Sequence, residues 1–229
     1  PLVHPHIVEM IGEAKDLGVK TELITNGLLL NPEVAEGLVL AGLDTLVVSV
    51  DGTTPETHEA IRPGANLSKV RENMNRLRAI SRKHFSQTPK IGIEYVLTRR
   101  NISELSGLRQ LAYSMGASFI ILTNILPYTE EFKDEILYWS STRSSYSFLA
   151  SQWIPEIVLP RIDAKLEYLT ALSGVLKHGG GIDLLPRRLV RSYDRCPFIW
   201  DGTTAVGWNG ETSPCIALMH SCTCYVMGR

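Results

Sequence analysis

Residues 45–52 read Thr45-Leu46-Val47-Val48-Ser49-Val50-Asp51-Gly52. A continuous apolar, β-branched run fits a strand covered on both faces, as in a parallel sheet. Asp51-Gly52 closes it as a turn signal. Ser49 breaks the pattern by placing a hydroxyl among Leu, Val and Val. A buried hydroxyl needs a partner, either a ligand or a neighbouring backbone carbonyl.

The same alternation extends both ways along the chain. Upstream, Pro5 to Leu17 carries an apolar stripe at helical period and Gly18 follows as its stop. Val19 to Thr25 reads as a strand ended by Asn26-Gly27, and Asn31-Pro32 opens a helix to Ala41, with Gly42 behind it. Downstream, Ser68 is expected to cap a helix that turns Val70, Met74, Leu77 and Ile80 to one side. Ile91 to Thr98 is the next strand, Ser103 to Met115 a helix stopped by Gly116, and Ser118 to Ile125 a further strand. Strand–helix units repeated in this way predict an α/β fold, a parallel sheet or barrel with helices outside.

Beyond Pro127 the rhythm changes. Residues 128–177 read as mainly helical, interrupted by Pro155 and Pro160, and His178-Gly-Gly-Gly181 is a break. Ile182 to Leu185 suits a short strand, and Trp200, Gly202, Gly207, Trp208 and Gly210 suggest a hairpin. The expected organisation is a barrel core over 1–127, a helical linker and end of core over 128–190, and a small cysteine-containing domain over 191–229.

In a parallel α/β barrel the working face lies at the carboxyl ends of the strands. The polar residues there are Thr25 and Asn26, Ser49 and Asp51, Glu94 with Asn101 beyond it, and Thr123 and Asn124. Asn26-Gly27 and Asp51-Gly52 serve equally well as ordinary turn residues, and Glu94 equally suits a partly solvated face. No G-x-G-x-x-G, G-x-x-x-x-G-K-[ST] or H-E-x-x-H occurs, so dinucleotide, Walker-type and zincin sites have no support.

Composition is that of an ordinary globular chain, 44% apolar and 21% charged. A formal net charge of −1 leaves no electrostatic footprint for nucleic acid or an anionic membrane. The most apolar run, Val34 to Val50, is broken by Glu36 and Asp44 and is too polar to span a bilayer. A cytoplasmic protein is expected. The chain opens on Pro1 and closes on Arg229 directly after its cysteines, which reads as a piece of a longer protein.

All 4 cysteines, Cys196, Cys215, Cys222 and Cys224, fall in the tail. Free cysteine is often a small buried hydrophobe, and disulfide frameworks suit small secreted domains. Clustering within one short tail favours a metal or cluster site instead. The spacing departs from paired C-x-x-C zinc motifs, whereas an iron–sulfur centre tolerates more varied spacing.

These motifs together resemble the radical S-adenosylmethionine (radical SAM) family, in its subgroup with a C-terminal SPASM-type or shorter twitch-type domain. Pro1-Leu-Val-His-Pro5 is similar to the segment beginning at the proline of the family's GGEP motif. Thr25-Asn26-Gly27 resembles its TNG strand end, and Ser49-Val-Asp51-Gly52 its SLDG strand end, with His58, Ile61 and Arg62 downstream. Cys196, Gly210 and Cys215 fit the subgroup's C-x(9–15)-G-x(4)-C pattern, whereas Cys222 and Cys224 stand too close together for its continuation.

The resemblance implies a partial (β/α)6 barrel. It further implies reductive cleavage of S-adenosylmethionine to a 5′-deoxyadenosyl radical that abstracts hydrogen during peptide, protein or cofactor maturation. Asn26, Ser49, Asp51, Arg62 and Glu94 would contact the cofactor. Cys196, Cys215, Cys222 and Cys224 would ligate an auxiliary 4Fe–4S cluster. The catalytic cluster's C-x-x-x-C-x-x-C would lie upstream of Pro1, outside this chain. A peptide or protein substrate and a ferredoxin or flavodoxin electron donor are the implied partners. The alternative is a truncated relative that binds a cluster or a peptide without turnover.

Overall fold

The computed structural model describes residues 1–125, 134–137, 165–176, 202–207 and 210–214. The chain divides into two compact units, Pro1–Leu185 and Pro186–Arg229.

In the first unit, four strands form one parallel sheet in chain order: β1 (Glu22–Thr25), β2 (Thr45–Ser49), β3 (Lys90–Leu97) and β4 (Phe119–Asn124). The helices are α1 (Ile7–Asp16), α2 (Pro32–Leu40), α3 (Pro55–Ile61), α4 (Leu67–Lys83), α5 (Leu105–Met115) and α6 (Leu166–Leu176). Helices α2, α4, α5 and α6 pack in that sequence, each against the next.

The register shows why the strands differ on their two faces. Leu23, Leu46, Val48, Ile91, Ile93, Tyr95, Leu97, Ile120 and Leu122 alternate onto one face and belong to the hydrophobic core, with Leu38, Val70, Met74, Leu77, Leu108 and Met115 of the helices. The opposite, inner face carries Ile24, Val47, Ser49, Gly92, Glu94, Val96, Phe119, Ile121 and Thr123. It holds the polar exceptions that sequence singled out. Gly92 has a packing reason: a Cβ there would stand 2.2 Å from the Phe119 ring, which lies across it from the adjacent strand.

Local chemistry sets the helix boundaries. The Asn31 side chain accepts the Val34 N–H at 2.8 Å, with Pro32 at the first helical position. Gly18 and Gly42 take positive φ, and the chain leaves α1 and α2 through paired carbonyl-capping bonds there. Three expectations need revision. The cap of α4 is Asn66, whose side chain accepts the Lys69 N–H at 2.7 Å, rather than Ser68. Buried Leu67 thereby becomes the first helical residue. Helix α3, capped by Thr54, was not expected at all. The helix expected from Ser103 begins as a single 3-10 turn, Ile102–Glu104, and becomes α-helical only at Leu105.

Asp44 ties α1 to the entries of β1 and β2. It accepts from Lys15 Nζ at 2.8 and 2.9 Å and from the Thr21 N–H at 2.8 Å. The Lys15 ammonium, helped by the Thr21 N–H, holds its carboxyl down from an ordinary 3.8 to about 2. A lowered folded-state value means that the contribution is present above about pH 4 and lost as pH falls through 2. Asp44→Asn is therefore expected to lower the melting temperature at pH 7. The gap between variant and wild type should close progressively below pH 4 in parallel thermal melts; a constant gap would refute the assignment.

In the second unit, β5 (Ala205–Val206) and β6 (Thr212–Ser213) form the expected hairpin, closed by Gly207 N–H to Glu211 O at 2.7 Å. Of the linker expected over 128–190, residues 128–133, 138–164 and 177–190, with the strand expected at Ile182 to Leu185, lie outside the described residues.

Candidate active site

The carboxyl ends of β1, β2 and β3 bring together most of the residues that sequence placed there. Ser49 and Glu94 are register partners on adjacent strands, and both point to the inner face. The Ser49 hydroxyl donates to Glu94 Oε2 at 3.1 Å. The serine's partner is thus a carboxylate, neither of the choices its sequence context offered first. A concavity of about 230 Å³ opens beside it. Its lining combines apolar Leu2, Val3, Ile24 and Leu29 with Thr25, Asn26 and Ser49. Asn26 is exposed, and its Oδ1 accepts the Leu28 N–H at 3.2 Å, so among the described residues its amide nitrogen is left for other partners. The Thr25 hydroxyl instead turns back to the Gly27 N–H at 3.1 Å.

Asp51 and Arg62 are not in this lining. They meet each other: Arg62 Nε donates to Asp51 Oδ2. Every polar group of Asp51 is engaged. Its Oδ1 accepts the Val96 N–H at 3.4 Å, its own N–H donates to His58 Nδ1 at 3.2 Å, and its carbonyl accepts from Asn101 Nδ2 at 3.0 Å. Asp51 thus orients Arg62, whose side chain remains one-third exposed. Burial pushes the His58 imidazole down, with the Arg62 charge adding to the effect, and outweighs the opposing pull of Asp51 and Glu59. His58 is therefore neutral at neutral pH and accepts through Nδ1, which places its proton on Nε2.

Sequence reading missed Glu104. Its carboxylate gathers Thr53, Thr54 and Thr57, and the Tyr95 hydroxyl nearby donates to the Asn101 carbonyl at 3.1 Å. No local pattern signals a contact between residues so far apart in the chain. Asn124 is a strand residue at the end of β4. Among the described residues no group of His, Cys, Asp and Glu is arranged to hold a metal ion. Cys196, Cys215, Cys222 and Cys224 all lie outside the described residues. No helix among those described is long and apolar enough to cross a membrane.

Comparison with known proteins agrees with this architecture. The tungsten-containing aldehyde ferredoxin oxidoreductase cofactor-modifying protein of Pyrococcus furiosus is 25% identical over 232 residues, covering 100% of this chain and 58% of that protein. The mycofactocin maturase MftC of Mycobacterium tuberculosis is 30% identical over 121 residues, 53% of this chain and 29% of the relative. The chain thus spans less than two thirds of the length of these relatives. Among solved structures, Streptococcus suis SuiB bound to precursor peptide SuiA shares the fold with a TM-score of 0.65. The identity is 16%, over 96% of this chain and 48% of SuiB. Residues 1–105, which hold β1 to β3 and the polar strand ends, match the Radical SAM superfamily. The chain is thus similar to the Radical SAM superfamily over those residues, a little under half of its 229.

Proposed function

We propose that this chain forms the S-adenosylmethionine-binding part of a radical SAM maturase that acts on a peptide. The observation that carries the reading is the Ser49–Glu94 pair, at 3.1 Å on the inner face of the sheet and beside a mixed apolar and polar concavity. The residues fit such a ligand. Leu2, Val3, Ile24 and Leu29 suit its methylene groups and adenine face, and Asn26, Ser49 and Glu94 its hydroxyl and amino groups. Arg62, held by Asp51, presents its remaining guanidinium N–H groups to a carboxylate. When bound, the cofactor and a reduced 4Fe–4S cluster supply a 5′-deoxyadenosyl radical for hydrogen abstraction. This chain's residues hold and orient the cofactor's polar ends and line its site with apolar side chains.

Cys196, Cys215, Cys222 and Cys224 are the thiolates proposed for an auxiliary cluster, on donor chemistry alone. A peptide substrate is supported by the maturase relative and by SuiB with its precursor peptide. A ferredoxin or flavodoxin is the proposed electron donor.

The test uses the intact protein that carries this sequence, reconstituted anaerobically with iron and sulfide. S-adenosylmethionine should bind, and Ser49→Ala should weaken binding about fivefold to tenfold, the value of one hydrogen bond. Cys196→Ala with Cys215→Ala should remove part of the charge-transfer absorption while leaving cofactor binding intact. An absorption spectrum insensitive to these cysteines would refute the auxiliary cluster. Absence of cofactor binding would refute the reading as a whole.

A further inference from the structure

The short connection between β3 and α5 reaches across to the loop after β2 and holds it at several points. Asn101 is fully buried. Its Nδ2 donates to the Asp51 carbonyl at 3.0 Å and to the Val96 carbonyl at 2.8 Å, and its Oδ1 accepts the Thr98 N–H at 2.8 Å. One carboxamide thereby fixes the end of β2 against the end of β3.

Glu104 does the same for the start of α3. Its Oε2 accepts the Thr53 N–H at 2.6 Å and the Thr53 hydroxyl at 3.1 Å. Its Oε1 accepts the Thr54 hydroxyl at 3.1 Å and the Thr57 hydroxyl. Helix α3 does not need this carboxylate as a cap, because Thr54 already accepts the Thr57 N–H at 3.3 Å. Burial works against the Glu104 charge. The bonds from the Thr57 hydroxyl and from Thr53 outweigh it, and the carboxyl is held below its ordinary range.

Neither residue lines the concavity. Both act on α3, whose C-terminal cap is Arg62. Glu104 pins the amino end of that helix, and Asn101 pins Asp51, which grips Arg62 at the other end. We propose that Asn101 and Glu104 are positioning residues that hold both ends of α3, so that Arg62 offers its guanidinium to the cofactor in one orientation. The proposal rests on the reading that Arg62 faces the cofactor.

The experiment measures binding of S-adenosylhomocysteine to the intact, cluster-reconstituted protein by calorimetry, with thermal melts and amide hydrogen exchange alongside. Asn101 variants leave buried groups unpaired and lose stability, so Glu104→Gln is the informative change. It is expected to stay folded, speed exchange of the Thr53 amide, and weaken binding about fivefold. In an Arg62→Ala background it should weaken binding no further, whereas with Ser49→Ala the two losses should multiply. An equal loss in both backgrounds would show a general structural role and overturn the proposal, as would unchanged affinity. If the wild type fails to bind while Thr53 exchange still responds to Glu104→Gln, the clasp exists but the cofactor reading has failed and the positioning role falls with it. If the wild type binds and Thr53 exchange does not respond, the clasp itself is refuted.

Discussion

Gly52→Ala is expected to cost about 3 kcal/mol, in line with forced overpacking against backbone. A Cβ at this position would stand 2.4 Å from the His58 nitrogen and 2.9 Å from both the His58 Cα and the Thr57 carbonyl carbon. All three are backbone atoms of α3, so no side-chain rotation relieves the clash. The helix must move as a body. That movement strains the Thr57–Glu104 bond, the His58 Nδ1 contact with the Asp51 N–H, and the Asp51–Arg62 pair. For a chain of this size the melting temperature should fall by roughly 6–12 °C. Cofactor binding should be lost with it at temperatures where the fold survives. Gly12→Ala in α1 is the natural control. Nothing stands within 4 Å of its Cβ position, and the change should be neutral or stabilising. Similar melting temperatures for the two variants would sink the steric account.

Arg62→Ala should be nearly as damaging, for an electrostatic reason. The Asp51 side chain is only 7% exposed, and removing the Arg62 guanidinium leaves the Val96 N–H at 3.4 Å as the remaining donor to its carboxylate among the described residues. Breaking a buried pair from one side leaves an uncompensated charge; with Arg62 itself one-third exposed, about 2 kcal/mol is expected. Arg62→Lys should rescue little, because an ammonium does not reproduce the Nε–H geometry. Asp51→Asn with Arg62→Ala together should recover part of the stability, since the stranded charge is gone. Affinity for S-adenosylmethionine should stay at least tenfold weakened in every variant lacking the guanidinium. Calorimetric titration and thermal melts on the same samples check both expectations. Full binding by the double variant would remove Arg62 from the site.

Much of the sheet was legible because strand and stop signals coincide. Thr45 to Ser49 announced itself by composition, and Gly18, Gly42 and Gly116 each end a helix at positive φ. Ser49 was legible as an exception, but its partner was not. Glu94 reaches it only through parallel register, which no local pattern encodes. Helix α3 escaped because its few residues sit between two turn signals, Asp51-Gly52 and Arg62-Pro63-Gly64, leaving too short a window for periodicity. The Glu104 clasp was invisible for a deeper reason. Its threonines read as ordinary caps, and the acid that unites them arrives from the far side of β3.

The aromatic ring of Phe119 lying over Gly92 couples two positions on neighbouring strands. Ser49 and Glu94 stand one pleat nearer the carboxyl ends of the strands than the Val47, Gly92 and Phe119 level. The ring fills the space that a side chain at position 92 would need. Any larger residue at 92 calls for a smaller one at 119, so the two positions are free to change only as a pair.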